Sequence, residues 1–472
     1  MNKRYSRFKR IIVFLHCESA RWRKTMSKKS FSNKVFTVLD HKLMKLDKQK
    51  HEKGFLTSDV HFTRAPRKLD FKEDMKILLS CGAASMKKEL YECFDYDVET
   101  VSLPGFIRSR AKINESAFME LMDVMNKAYP CNKTYKGYRL LAVDGCDICI
   151  PSDKNDHENL NPGGNEGSKP ACMFHINCLY DILNHRYLDN IIQPLKKKNE
   201  MEAMRMMAKR YEENKAIFIA DRNFATFNNM EHLRETGHRF LIRVKDIHSG
   251  TSLLKSFKSL PKKGEFDEDV HITFTNRQTN FIRNNQHRYK IIMTNQRFDF
   301  LDSENHFYDA DYRVVRIKID GSSEEYESII TNLDRKLFPA SKIKELYKLR
   351  WDIEVSYRHL KYSVDLNALH SRRRDFIRQE IWARLVMFNI SMIIIDYITD
   401  HKLSRKERRL EYKVNITMAI FFTKHFMIIR KGGDPPDLEC LIAKQILPVR
   451  SDRHYTRNVR NQSFVSFDYR FN

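Results

Sequence analysis

The sequence lacks an apolar run long enough to cross a membrane, and its cysteines are sparse and odd in number. The longest apolar stretch, Val386 to Ile395, is interrupted by Asn389 and Ser391 and ends at Asp396, whereas a spanning helix needs about 18 apolar residues. Nine cysteines in 472 residues are too few for a secreted disulfide scaffold, so we expect reduced thiols in a cytosol. These absences predict a soluble intracellular protein with no membrane partner.

Acidic residues are also scarce relative to basic ones, and the excess of positive charge lies at the two ends. The chain has 85 Lys and Arg against 61 Asp and Glu, a net charge of +24. Residues 1–70 carry +13 and residues 371–472 carry +9, which leaves +2 for the stretch between them. Intrinsic disorder is excluded by 31 Phe and 20 Tyr. The distribution predicts a folded protein whose basic ends meet a polyanion.

The N-terminal region has the pattern of a basic arm followed by helices. Residues 1–25 carry +7 and precede Met26, which resembles an ordinary cytosolic start, so we interpret them as a basic arm or a misassigned start. Within 26–130, Pro104 is placed to open a basic helix that contains Arg108 and Arg110, and an apolar helix follows. The pair is compatible both with a helix-turn-helix DNA reader and with an ordinary helical bundle.

The middle of the chain changes to a strand pattern. We expect a strand over 138–143 that ends at Asp144 and turns at Gly145 into a second strand over 146–150, as in a hairpin. The wholly apolar run 216–220 predicts a central strand that ends at Asp221. Residues 239–333 form a β-rich block, and 340–365 and 375–402 read as long helices. The fold class is therefore α/β, interrupted by a β-rich insertion.

Three carboxylates are candidate site residues. Asp144 and Asp221 each follow an apolar strand, where open α/β sheets bind ligands, although either alone is more often a structural or capping residue. Glu354 shares a stripe about 60° wide and about 21 Å long on one predicted helix, together with Tyr347, Arg350 and Lys361. The alternative for this stripe is a solvated face with an Arg350–Glu354 ion pair.

These residues resemble the DDE transposases of bacterial insertion sequences, in the branch named after insertion sequence four. The match is carried by Tyr347-x2-Arg350-x3-Glu354-x6-Lys361, by Asp144-Gly145, and by Asp221-Arg222-Asn223-Phe224. The likeness covers roughly residues 138–400.

The resemblance implies a ribonuclease-H-like catalytic core in which Asp144, Asp221 and Glu354 are catalytic and hold two Mg²⁺ ions, with Mn²⁺ as a substitute. Hard carboxylate oxygens suit these metals, and two ions serve phosphodiester hydrolysis and transesterification. The resemblance also implies five regions. They are a helical end-binding region (26–130), the first part of the core (131–238), the β-rich insertion (239–335), the second part of the core (336–402), and a basic C-terminal region for oligomerisation (403–472).

The resemblance also implies the partners and their contacts. The enzyme would bind the terminal inverted repeats of its element and a target duplex, as a homodimer in a bacterial or archaeal cytoplasm, close to the nucleoid. The expected DNA contacts are Tyr347, Arg350, Lys361, Arg222, Arg372, Arg373, Arg108 and Arg110. The alternative function is an inactive or domesticated relative that binds element ends as a repressor.

Two departures from the family pattern stand out. Asn223 replaces a glycine, and asparagine tolerates a left-handed backbone, so we expect the turn to survive. No tryptophan lies in 222–333, where relatives that cut through a DNA hairpin stack an aromatic on a base. A hairpin intermediate would need Phe240, Tyr289 or another aromatic in that role.

Overall fold

The computed structural model describes residues 30–64, 68–162, 170–213, 215–319, 325–403, 411–428 and 437–449. The predicted basic arm at 1–25 and most of the basic residues after 403 lie outside these ranges. The described elements form a mixed α/β fold around one ten-stranded sheet.

In the part of the chain that the structure describes, five helices precede the sheet, and short stretches of sequence account for them. In the first, the Ser30 side chain accepts a hydrogen bond from the Asn33 amide at 3.2 Å, as an N-cap does. Its buried stripe of Val35, Leu39 and Leu43 follows the i, i+4 spacing of an amphipathic helix. The five helices are α1 (Phe31–Gln49), α2 (Phe71–Ser80), α3 (Met86–Cys93), α4 (Leu103–Arg110) and α5 (Ser116–Ala128).

The first half of the sheet contains an antiparallel unit joined to parallel strands. Its strands are β1 (Arg139–Ile150), β2 (Leu160–Asn161), β3 (Ala171–Asp181), β4 (Arg186–Pro194), β5 (Ala216–Ala220) and β6 (Arg239–Val244), with α6 (Glu200–Arg210) and α7 (Phe227–Glu235) in the crossovers. The order is β4-β3-β1-β5-β6, in which β1 is antiparallel to β3 and parallel to β5. The apolar β5 is central and fully buried, as predicted.

The hairpin predicted at Gly145 is wrong. β1 continues through Asp144 and Gly145 without a turn and pairs with β3 from Leu141↔Asp181 to Ile150↔Cys172. Glycine in a strand often marks close approach of another group rather than a turn, and Gly145 is such a case, as shown below.

The strands of the predicted β-rich block extend the same sheet beyond β6. They are β7 (Phe266–Thr275), β8 (Tyr289–Ile291), β9 (Phe307–Lys318) and β10 (Tyr326–Thr331), with the short helix α8 (Asn280–Asn284) before β8. β10 pairs with β6, and the order then runs β10-β9-β7-β8. The block is therefore continuous with the sheet through the β6–β10 pair.

Helices after the sheet cover one of its faces. They are α9 (Ala340–Leu349), α10 (Trp351–Tyr362), α11 (Arg374–Ile398), α12 (Ile416–Ile428) and α13 (Leu438–Lys444), and a small ribbon pairs β11 (Tyr412–Val414) with β12 (Ile446–Pro448). The segment 374–403 is long and apolar enough to cross a membrane by length and composition, but 89% of its most apolar stretch is buried inside the fold. It serves as the central core helix.

Two hydrophobic cores lie on opposite faces of the sheet. The first contains α1–α5, α10 and α11 together with the even-numbered β1 residues Leu140, Ala142 and Ile148. The second contains α6 and α7 with the odd-numbered Leu141 and Val143. Because successive strand residues point to opposite faces, Asp144 faces α10 and Gly145 faces α6.

Candidate active site at the carboxylate cluster

Three different elements carry the predicted acids. Asp144 lies within β1, where Gly145 donates its amide to Asp144 Oδ1 at 3.0 Å. Asp221 follows the last residue of β5 and accepts a hydrogen bond from the Asn223 amide at 2.8 Å. Glu354 lies in the first turn of α10. The parallel pairing of β1 with β5 brings the first two acids to the same edge of the sheet.

The electrostatics of Asp144 show that the three carboxylates are neighbours. Burial raises the pKa of Asp144 to about 7, Arg350 opposes this shift, and Asp221 and Glu354 both add to it. A carboxylate crowded by two others in a poorly solvated place carries an unfavourable excess of negative charge. The cluster is therefore suited to a cation.

The four signature residues span the junction of two helices. The single helix predicted over 340–365 is interrupted by a turn at Arg350, which separates α9 from α10. Arg350 Nη2 donates to Glu354 Oε1 at 2.8 Å, so the ion pair expected for a solvated helix face is present. The Arg350 guanidinium is nevertheless buried, so this face is not simply solvated. Tyr347 is also buried.

Two buried polar atoms at this helix junction lack a hydrogen-bond partner among the described residues. The Tyr347 hydroxyl and Arg350 Nε are buried, and neither makes a hydrogen bond of good geometry within the described part of the chain. Buried donors of this kind are costly unless something accepts from them. Arg350 lies next to Glu354 and Asp144, and Tyr347 lies next to Arg350.

The second half of α10 is tied to β1 at the first acid and three residues beyond it. Tyr357 donates its hydroxyl proton to the Asp144 carbonyl at 2.7 Å, and Lys361 Nζ donates to the Asp147 carbonyl at 3.1 Å. Burial opposes the charge on Lys361, but Cys146 next to it raises the pKa of the ammonium. These contacts fix α10, and with it Glu354, against the strand that carries Asp144.

A buried histidine on the opposite face of β1 escaped prediction. His175 Nδ1 lies 2.6 Å from Asp147 Oδ1, and His175 Nε2 lies 3.1 Å from Glu200 Oε1. Burial opposes protonation, but hydrogen bonds to both acids raise the pKa of His175 to about 9. The sequence marks Asp147 and Glu200 only as acids outside the motif, and the β1–β3 register that joins Asp147 to His175 is a long-range pairing.

The residue types at the cluster fit a divalent metal. Asp144, Asp221 and Glu354 are the hard oxygen donors that Mg²⁺ and Mn²⁺ prefer; burial raises the pKa of Asp144, and Asp221 and Glu354 add to that shift. Among the described residues, no group of three or more His, Cys, Asp or Glu side chains has the spacing of a formed metal site.

The predicted DNA contacts outside the signature divide into two groups. Arg108, Arg222, Arg372 and Arg373 are exposed, although the Arg373 guanidinium already pairs with Asp375. Arg110 is only 2% exposed, and its guanidinium donates to Gln379 Oε1, Glu380 Oε1 and the Phe376 carbonyl on α11. The predicted DNA contact of Arg110 does not fit this placement. Its burial was missed because the partners lie about 270 residues downstream.

The aromatic candidates of the β-rich block are placed very differently. Phe240 is completely buried in β6 and has no face for a base. Tyr289 lies in a surface row of rings, 6.1 Å from Phe281 and 6.3 Å from Phe307 between centroids. The two neighbours are 65% and 54% exposed. Of the two predicted substitutes for tryptophan, only Tyr289 is at the surface.

Comparisons with known proteins agree on the family. The family model described as Transposase DDE domain matches residues 135–390, more than half of the chain. Transposase InsG for insertion sequence element IS4, from Escherichia coli, is 24% identical over 138 residues, which cover 27% of this chain and 30% of that relative. The aligned part thus spans less than a third of the curated relative.

A solved structure resembles the fold more loosely. It is a cryo-EM structure of the piggyBac transposase synaptic complex with hairpin DNA, with 9% identity, coverage of 92% of this chain and 89% of that chain, and a TM-score of 0.42. The predicted kinship with DDE transposases of the insertion-sequence-four family is confirmed by the family model and the relative, while the signature-defined branch stays a prediction. The chain belongs to the Transposase DDE domain family.

Proposed function

We propose that this transposase binds the terminal inverted repeats of its insertion sequence and catalyses metal-dependent DNA strand cleavage and strand transfer to a target. The observation that carries the proposal is the placement of Asp144 and Asp221 beside each other on the paired parallel strands β1 and β5, with α10, the helix of Glu354, tied to the Asp144 carbonyl by Tyr357. The buried Arg350 Nε, on the side chain that pairs with Glu354, and the buried hydroxyl of its neighbour Tyr347 support a phosphate as a ligand here. Membership of the DDE family supports the reaction class.

The roles of the residues follow from their positions. The three carboxylates would hold Mg²⁺ or Mn²⁺, which when bound supplies an activated water and neutralises charge on the phosphate and the leaving oxygen. Arg350 would grip a phosphate of the element end through its fork of donors, and Tyr347 would donate one further hydrogen bond. Lys361, which donates to the Asp147 carbonyl on the same strand as Asp144, would add a point charge.

The same proposal includes a ribonuclease-H-like core, a β-rich insertion and a dimer. The unit β4-β3-β1-β5-β6 places the first acid on its central strand and the second at the end of the adjacent parallel strand, which supports a ribonuclease-H-like core. Strands β7–β10 would then be an insertion between β6 and α9. Because two element ends must be joined, we infer that a dimer of this chain acts on DNA.

The catalytic assignment is tested with Glu354→Gln and a matched control. Glu345→Gln removes the same charge from an exposed position on α9, where Glu345 pairs only with Lys342 among the contacts of the described residues. With the full chain and DNA bearing the terminal repeat, we expect Glu354→Gln to bind the end as wild type does and to lose nicking in Mg²⁺ and in Mn²⁺. Nicking that persists in Glu354→Gln, or is lost equally in Glu345→Gln, overturns the assignment.

The same assay separates the alternative function. A wild-type chain that binds the terminal repeat and nicks in neither metal would be an end-binding repressor. Deleting 26–130 is a poor test of end recognition, because α1–α5 share one core with α11 and their removal would expose it. Arg108→Ala at the exposed face of α4 tests the predicted contact without disturbing that core.

A further inference from the structure

A cavity of about 370 Å³ lies on the sheet face that α6 and α7 cover, opposite the face packed by α10. It is bounded by the first turns of α6 and α7, by Leu253, and by the segment 290–298 that contains the end of β8. Its size falls in the range of small-molecule sites. None of the predicted site residues lines it.

The polar lining of the cavity is positively charged. Arg205, Lys290 and Arg297 line it, and no carboxylate is among the lining residues that the structure describes. Arg205 Nη1 donates to a neutral partner, Asn229 Oδ1, at 2.7 Å. Burial and the nearby Arg297 lower the pKa of Arg205, although Asp299 and Glu202 act in the other direction.

The two acids nearest the cavity are committed to other groups. Asp299 accepts from Arg297 Nε at 2.9 Å, from Asn228 Nδ2 at 3.0 Å, and lies 2.8 Å from His232 Nε2. Glu202 accepts from Asn199 Nδ2 at 3.0 Å. Arg297 is therefore largely neutralised, whereas Arg205 and Lys290 face the cavity without a carboxylate partner in the described contacts. An anion would satisfy them.

The rest of the lining suits an aromatic ring system with polar edges. Phe227, Phe298 and Ile292 provide apolar walls, and the amides of Asn199, Asn228 and Gln296 offer donors and acceptors. The caps of α6 and α7, Asn199 and Thr226, lie at the same cavity, so the positive ends of two helices of 11 and nine residues add to the three cations. A phosphate and a heterocycle can thus be held together.

We propose that this cavity binds a single phosphate-bearing nucleotide, with the phosphate at Arg205 and Lys290 and the base against Phe227 and Phe298. The ligand is either a free nucleotide or one nucleotide of a DNA strand, and the chemistry is shared. The inference goes beyond the proposed function, because the site is separate from the carboxylates and its occupation can be measured without cleavage. Loss of nicking and loss of nucleotide binding are therefore distinguishable failures.

The experiment is a calorimetric titration of the full chain, without metal, with three probes: inorganic phosphate, dAMP, and a duplex carrying one unpaired terminal nucleotide. One pair of variants tests charge: Lys290→Gln at the cavity against Lys258→Gln, an exposed lysine outside it. A second pair tests shape: Met201→Trp at the cavity against Met206→Trp, both on α6 and 38% and 41% exposed.

We expect Lys290→Gln and Met201→Trp to weaken dAMP binding roughly tenfold or more, as loss of a charge-assisted contact to phosphate does, and both control variants to bind as wild type does. If only the duplex with an unpaired nucleotide shows this dependence, the natural ligand is part of a strand. If dAMP shows it as well, a free nucleotide also fits. Equal binding by the cavity variants and their controls, with every probe, overturns the proposal.

Discussion

A single methyl group at Gly145 tests whether β1 is held in place from its α6 face. The Cβ of Gly145→Ala would lie 2.6 Å from both His175 Nε2 and Glu200 Oε1, about 0.8 Å short of the 3.4 Å at which ordinary contact begins. His175 is 2% exposed and its other ring nitrogen is held by Asp147 at 2.6 Å. The ring has little room to retreat, so the substitution overpacks a well-filled site.

We expect Gly145→Ala to lower the free energy of unfolding by about 1–3 kcal/mol, the usual cost of overpacking. Urea denaturation measures this cost, with Gly250→Ala as control, since no atom lies within 4 Å of the Cβ that it adds. The control should be neutral or gain about 0.4–1 kcal/mol through the unfolded state. Because Asp144 precedes Gly145 on the same strand, the variant should also need more Mg²⁺ to nick DNA.

A double-mutant cycle decides whether the His175 cluster causes the loss. Glu200→Ala removes one of the two obstructing groups, so the combined variant should recover part of the stability, with a coupling of about 0.5–3 kcal/mol. Strict additivity, or a Gly145→Ala variant as stable as Gly250→Ala, would refute the view that the cluster braces β1.

Two further predictions concern the helical region. Burial raises the pKa of Asp74 to about 8. The folded state therefore keeps a proton that the unfolded state loses from about pH 4. The free energy of unfolding should fall by up to about 1.4 kcal/mol per pH unit as the pH rises from about 4 to about 8. Asp74→Asn keeps an acceptor for Ser109 and should flatten that slope in denaturation curves measured from pH 5 to pH 9. Arg110→Leu should cost about 3–5 kcal/mol because it leaves the buried Glu380 charge without its guanidinium partner. Arg108→Leu, at an exposed position on the same helix, should stay within about 0.5 kcal/mol of wild type; equal losses in thermal unfolding would contradict the buried role of Arg110.

The features that could be predicted are those that a few neighbouring residues determine. The apolar run of β5 and the spacing of Arg350 and Glu354 are visible in a few neighbouring residues. The structure has the strand and the Arg350–Glu354 contact at those positions, although the predicted single helix is divided at Arg350. The burial of Arg110 was beyond such reasoning, since a basic residue on a basic helix reads as a surface group. Only the packing of α4 against α11 reveals that each nitrogen of its guanidinium donates a hydrogen bond.

The turn predicted at Gly145 was wrong for the same reason, because the pairing of β1 with β3 cannot be read from neighbouring residues. The difference matters for the position of Asp144. A glycine after an acid at the apparent end of a strand indicates a turn, and only the partner register shows that β1 continues to Ile150. Because the strand continues, alternation sends Asp144 toward Arg350 and Glu354 and leaves the next residue facing His175. Any side chain there would displace a buried, doubly held ring, so the glycine is required by close approach rather than by backbone freedom. The first acid is thus positioned from both faces of the sheet, by Tyr357 on one side and by the His175 cluster on the other.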